Sequence, residues 1–161
     1  MGNDINSYLV FKLDDNEFAI HVSKVVEILE YKKPMAMPDA PPFFAGVIEH
    51  REEMVPVVDP SLKFGLPALS VTQKSCIVVL ELIHSVSKRP TKVAIIVDAV
   101  SDVIETEEGD LKVIQNDFRP EYILGTYKKD DLYYLVLNAD KVFSTNEMIS
   151  MSEIIDTLKK R

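Results

Sequence analysis

The chain has 161 residues, a formal net charge of −8 and a single cysteine, Cys76. A lone thiol excludes an intrachain disulfide and suits a reducing compartment. The acidic balance, with no Lys/Arg cluster, removes nucleic acid from the expected partners. No apolar run approaches the roughly 20 residues that span a bilayer, so direct membrane insertion is not expected. Residues 1–6, MGNDIN, lack signal-peptide character, and Asn6 stands where myristoylation needs Ser or Thr. A chain of this length forms one domain or two small lobes and buries roughly 70% of its unfolded surface.

Residues 8–13, YLVFKL, predict a strand; Asp14-Asp15-Asn16 supplies a turn, and residues 17–20 return as a second strand. Val22, Val25, Val26 and Leu29 then follow the i, i+3, i+4, i+7 spacing of a short helix, with Ser23 as a candidate cap. Pro34, Pro38, Pro41 and Pro42 make residues 31–42 extended and loop-like.

Residues 46–65, GVIEHREEMVPVVDPSLKFG, hold two apolar runs around a block of charge. That pattern predicts two strands joined by an exposed connection, Glu49-His50-Arg51-Glu52-Glu53. Pro56 lacks an N–H, which puts its strand at an edge or a bulge. Asp59-Pro60 stops it. Arg51 among acids on a turn between strands is either a solvated hairpin tip or a rigid surface fixture that carries function.

Residues 66–74 read as a polar connection and 76–83 as a buried strand holding the thiol of Cys76. Residues 84–91 read as a loop, 92–97 as a strand, 98–103 as a helical turn and 105–110 as an exposed acidic stretch. Residues 122–138 give two more strands around Lys128-Lys129-Asp130-Asp131. Ser150-Met151-Ser152-Glu153 has the Ser-x-x-Glu spacing of a capping box. Met151, Ile154, Ile155 and Leu158 form an apolar stripe, and Lys159, Lys160 and Arg161 suit the negative end of a helix dipole. The stripe either packs on the body of the protein, as stripes usually do, or binds a partner helix.

A repeat runs through this order. Residues 18–30 align on residues 93–105, so that Ala19 meets Ala94, Ile20 meets Ile95, Val25 meets Val100 and Glu30 meets Glu105. Phe43-Phe44-Ala45-Gly46 then aligns on Tyr122-Ile123-Leu124-Gly125, and each alignment leads into a strand, a charged tip and a strand. One such unit has too little core to be secure alone; two copies sharing an apolar seam solve that problem. Many short strands point to small closed barrels, which also remove sheet edges.

Catalytic motifs are missing. There is no Gly-rich phosphate loop, paired-cysteine metal motif, His-Glu-x-x-His or Gly-x-Ser-x-Gly. His21, His50 and His84 have no second ligand at metal spacing. The acids sit in charge blocks, not in the apolar pockets that raise a carboxyl pKa. No cofactor and no metal are expected. The remaining enzyme or ligand-binding reading uses Asp59 and Asp98, each of which ends a strand, where an acid also serves as a turn cap.

Several motifs resemble the CheW-like domain family, found in chemotaxis coupling proteins and in the CheA histidine kinase. They are Tyr8-Leu9-Val10-Phe11, Val25-x-Glu27-Ile28-Leu29, Pro42-x-Phe44-x-Gly46-Val47, Arg51, Val55-Pro56-Val57-Val58-Asp59, Phe64-Gly65 and Val97-Asp98-x-Val100-Ser101-Asp102-Val103. The resemblance implies a mostly β fold: two SH3-like five-stranded β-barrel subdomains sharing a hydrophobic core, with short helices and a C-terminal helix. The layout would be a tail at 1–7, a domain at 8–143 and a helical segment at 144–161. The domain's two barrels would lie near 14–75 and 84–140, with strand exchange between them allowed for.

The resemblance further implies a noncatalytic cytoplasmic adaptor, monomeric when free and associated with membrane-bound chemoreceptor arrays. It would bind the tip of a methyl-accepting receptor in a groove between the barrels and dock on the regulatory domain of a CheA-type kinase. The alternative within this class is a coupling protein of a non-flagellar, pilus-type chemosensory system. By carry-over, Val25, Glu27, Gly46 and Arg51 sit where the family makes receptor or kinase contacts. Glu52 is counted with them, and Phe118 falls near a second kinase contact. The family's tip is Asn-Leu-Arg-Gly; here it is Glu49-His50-Arg51-Glu52, and Glu52 is strained if that turn needs positive φ.

Overall fold

The computed structural model describes residues 5–83, 87–107, 109–113 and 120–159. Among them, strands β1 (Asn6–Leu13), β2 (Asn16–His21), β3 (Val25–Glu30), β4 (Phe44–His50) and β5 (Glu53–Val58) form a first series. A second follows: β6 (Cys76–Ile83), β7 (Pro90–Val97), β8 (Ala99–Thr106), β9 (Ile123–Lys129) and β10 (Leu132–Leu137). Helices α1 (Pro60–Lys63), α2 (Ala139–Val142) and α3 (Thr145–Lys159) complete the chain.

The strands make two five-stranded sheets, ordered β8-β1-β2-β10-β9 and β3-β6-β7-β5-β4. Each sheet takes its first two consecutive strands from one series and three from the other. The duplication extends to register. Val57 and Val58 of β5 lie parallel to Ala94 and Ile95 of β7, as Val136 and Leu137 of β10 lie parallel to Ala19 and Ile20 of β2. The ends repeat too. Asp59 N–H donates to the Phe43 carbonyl at 2.8 Å and Asn138 N–H to the Tyr122 carbonyl at 2.7 Å. Asp59 and Asn138 then cap α1 and α2 through their side chains.

Apolar runs without alternation become strands buried on both faces. In β1, Leu9, Phe11 and Leu13 enter the central cluster between the sheets, while Tyr8 and Val10 enter a smaller cluster on the far face. In β7, Val93, Ile95 and Val97 point to the centre, and Ala94 and Ile96 to a separate cluster on the far face of the second sheet. Phe11, Phe18, Phe64 and Tyr122 stack in series through the centre, with ring centroids 5.2 to 6.0 Å apart. Such contacts join the two halves beyond simple area burial.

The mostly β, two-subdomain reading holds, but the sheets are not closed barrels. In each, the outermost strands do not pair with one another. A loop residue instead bridges the free edge once, Met35 on Val47 of β4 and Lys112 on Thr126 of β9. That covers part of each edge without closing the ladder.

Two predicted helical stretches are strands. Residues 22–24 form a single 3-10 turn, and β3 follows. A bulge between Val25 and Glu27 breaks the alternation of β3, so Val26 and Leu29, three apart, pack on the same cluster. That displacement imitates helical spacing. Of residues 98–103, read as a helical turn, all but Asp98 fall in β8, because 99–106 pair along β1. Pro56 lies in an interior strand, not at an edge; pairing of β5 with β7 begins at Val57, so its missing N–H falls before the ladder. Cys76 is half-buried and donates to the Lys74 carbonyl at 3.4 Å.

The capping box of the last helix lies six residues earlier than the sequence suggests. Glu147 N–H donates to Ser144 Oγ at 3.1 Å, and Ser144 N–H to Glu147 Oε1 at 2.7 Å. The stripe of α3 then packs inward through Met148, Met151 and Ile155. Lys63 Nζ donates to both oxygens of Glu147, at 2.7 and 2.8 Å. Burial pushes the Glu147 carboxyl up, but the bonds from Lys63 and Ser144 outweigh it and hold it below the ordinary 4.5. A carboxyl depressed in the fold stabilises above its unfolded value, and that contribution is lost as pH falls through the folded value. The melting temperature is therefore expected to drop as pH falls below the ordinary 4.5, and Glu147→Gln to flatten part of that drop. A thermal-melt series across this range reads it. Lys160, Arg161 and His84 lie outside the described residues.

Candidate functional site

The charged connection between β4 and β5 is shorter than its sequence implies. Glu49 and His50 belong to β4 and Glu53 to β5, leaving Arg51 and Glu52 as a two-residue turn. Their φ angles are 50° and 67°, the left-handed pair that matches the twist of a tight hairpin. Each carries a Cβ that this region disfavours, so the turn stores strain where glycine would not. The matching turn between β9 and β10 uses Asp130 and Asp131 at 52° and 64°.

Glu49 faces solvent, but His50 does not; only 5% of it is exposed. Strand alternation puts His50 on the same face as buried Ile48. From there it reaches Glu27 of β3, with Nε2 to Oε1 at 2.7 Å. Arg51 Nη2 reaches the same oxygen at 3.3 Å. β3 and β4 are the opposite edges of one sheet. Side chains thus bridge the seam that the ladder leaves open. Because a carboxylate only accepts, the His50 proton lies on Nε2. The bond from His50 holds the Glu27 carboxyl below the ordinary 4.5 against its desolvation, and the charges of Arg51, His50 and Lys92 add to the effect. Lys92 also stands 3.6 Å from Glu53.

The remaining candidates fall in different settings. Val25 is half-buried against the central cluster and pairs with Leu80. Gly46 is buried, at φ +148°, where a Cβ would strike the Met35 carbonyl and the Pro34 side chain. It offers no side-chain surface to a partner. Phe118 lies outside the described residues. Exposed aliphatic residues occur on the elements beside these candidates. Val22 sits on the 3-10 turn, which touches both β1 and β6. Ile28 follows on β3, and Val103 of β8 aligns with Ile20 through Leu9.

The acids of the catalytic reading are engaged elsewhere. Asp59 accepts from Ser61 N–H at 2.9 Å and Leu69 N–H at 3.1 Å, and Asp98 from Asp14 N–H at 2.6 Å. His21 bridges Ser23 and Asn6 and packs edge-on against Tyr8. No group of three or more metal-type ligands occurs among the described residues.

The family model of the CheW-like domain matches residues 7–147. The chain belongs to the CheW-like domain family. It is 29% identical over 150 residues to chemotaxis protein CheW of Rhizobium meliloti (strain 1021), covering 91% of this chain and 93% of that one. Against chemotaxis protein CheW of Klebsiella aerogenes it is 26% identical over 150 residues, 91% of this chain and 87% of that one. The solved scaffolding protein TtCheW from Thermoanaerobacter tengcongensis shares the fold, with a TM-score of 0.78 at 23% identity over 91% and 94% of the two chains. As a CheW-like protein, the chain is a chemotaxis signal-transduction adaptor. The bridge from β3 to β4 through His50 escaped sequence reasoning; extending the alternation two residues past Ile48 would have turned His50 inward.

Proposed function

We propose that this CheW-like chain couples the cytoplasmic tip of methyl-accepting chemoreceptors to the regulatory domain of a CheA-type histidine kinase, with no turnover of its own. It works in the cytoplasm as a component of receptor arrays, monomeric until assembled. No helix among the described residues is long and apolar enough to cross a membrane. The observation that carries the reading is the juxtaposition at the seam. Exposed Val22 on the 3-10 turn and exposed Ile28 on β3 flank Glu27 in the chain; Glu27, on the opposite face of β3 from Ile28, is paired to Arg51. A helical hairpin docks by a few apolar anchors with charged pairs at the rim, and the outer strand β3 presents an exposed aliphatic residue on one face and the charged pair on the other.

Arg51 is 64% exposed and its ion pair is partly solvated, so the pair adds little to folding. Arg51→Ala is expected to weaken binding to a receptor-tip or kinase fragment about tenfold, with the melting point almost unchanged. Co-sedimentation with both fragments tests this. Equal capture of the variant by both would remove Arg51 from the docking surface.

A further inference from the structure

In a fold whose register, turns and caps are duplicated, one feature occurs once. Among the described residues, no side-chain bond links the outer strands β8 and β9 of the first sheet. Asp102 of β8, the counterpart of Glu27, accepts only from its neighbour's amide, Val103 N–H, at 2.7 Å. Among the described residues, side chains tie the edges of the second sheet only, through His50, Glu27 and Arg51. Among the described residues, the first sheet forms the equivalent strand order without such a tie.

His50 is also an awkward residue for its place. It is buried on the face of Ile48, and its Nδ1 is the one buried side-chain nitrogen or oxygen without a partner among the described residues. An unpaired buried polar atom is destabilising, and an apolar side chain there would avoid it. A local rule broken with no structural return points to function.

We propose that His50 is a positioning residue for docking: it holds the Glu27 carboxylate across the open seam, so that Arg51 meets a partner as half of a fixed acid–base pair. This rests on the reading of Glu27 and Arg51 as docking residues. His50 and Arg51 share Oε1, and Oε2 accepts no bond among the described residues. The pair therefore presents a free carboxylate oxygen beside a guanidinium with unused donors. A partner surface carrying a base and an acid at matching spacing fits it, and a pair held in register loses less entropy on binding than two free side chains.

The test compares His50→Leu, which removes the donor at similar volume, with His50→Gln, whose amide can still donate. Three readouts are taken on the full chain: the melting point, the Glu27 carboxyl titration by NMR, and affinity for receptor-tip and kinase-regulatory fragments. The groups facing Glu27 are His50, Arg51 and Lys92. His50→Leu is expected to melt at or above the parent temperature, to move the Glu27 midpoint up, and to weaken binding about fivefold. His50→Gln should restore most of the midpoint and the affinity, which a purely space-filling role would not do. An unmoved Glu27 midpoint in His50→Leu overturns the proposal whatever the affinity. So does unchanged affinity in His50→Leu when Arg51→Ala binds weakly. Normal binding by both variants with the midpoint shifted overturns the docking reading and leaves the tie itself standing.

Discussion

A chain stopped after Ser144 is expected to lose its cooperative melt and to aggregate. Without α3 the central cluster loses Met148, Met151 and Ile155, all buried, and Met151 is 1% exposed. Fully burying such side chains stabilises by about 1.5–3 kcal/mol each, on the order of 6 kcal/mol together. A domain of this kind has only about 5–15 kcal/mol in total. The truncation also frees Lys63 from Glu147 and uncovers the apolar face of the flanking strands. Near-UV circular dichroism, dye binding and gel filtration should show a loosened state with exposed apolar surface. Two point variants bracket the effect. Met151→Ala should cost about 2–4 kcal/mol, whereas Ile149→Ala, on the solvent side of the helix, should be nearly neutral. A sharp melt by the truncated chain would mean that α3 is an appendage with its stripe free for a partner.

Gly46→Ala is expected to destabilise by about 3 kcal/mol, a combined steric and backbone effect. At φ +148° a Cβ meets the Met35 carbonyl, with the carbonyl carbon at 2.8 Å and the Pro34 Cβ at 2.9 Å. Neither can retreat easily. Met35 and Val47 exchange two backbone bonds, each 2.9 Å, and that bridge is what covers the outer edge of β4. At roughly 2–4 °C per kcal/mol for a chain of this size, the melting point should fall by about 10 °C. Gly125 makes the same close approach to Lys112, whose carbonyl oxygen would lie 2.7 Å from a Cβ, but without the positive φ. Gly125→Ala should cost less. Since Gly46 is buried, any binding defect of Gly46→Ala should track its unfolded fraction and vanish at temperatures where the variant is folded. A defect that persisted in the folded variant would return Gly46 to the contact surface.

Much of the fold was legible because its signals are local. Strand runs bounded by Asp, Asn, Gly and Pro were readable one by one. The doubling was readable because Ala19 and Ala94, or Gly46 and Gly125, answer the same backbone demand in each copy. The errors were local signals with two meanings. Val22, Val25, Val26 and Leu29 fit a helix by spacing, and a bulge produces the same spacing in a strand. Ser150 and Glu153 had the right separation for a cap, but Ser144 and Glu147 were the pair that the end of α2 left free to make it. His50 looked like part of an exposed tip because its neighbours are charged, although the pleat turns alternate residues to opposite faces.

By itself, the order of residues determined that this is a duplicated, strand-rich unit carrying the marks of one adaptor family, since turn chemistry and strand patterning act over a few residues. Only the tertiary structure decided which edges meet. Glu27 and His50 are 23 residues apart, and Lys63 and Glu147 are 84 apart. Such pairs come together because two sheets trade strands around a shared core, and no local preference records that exchange.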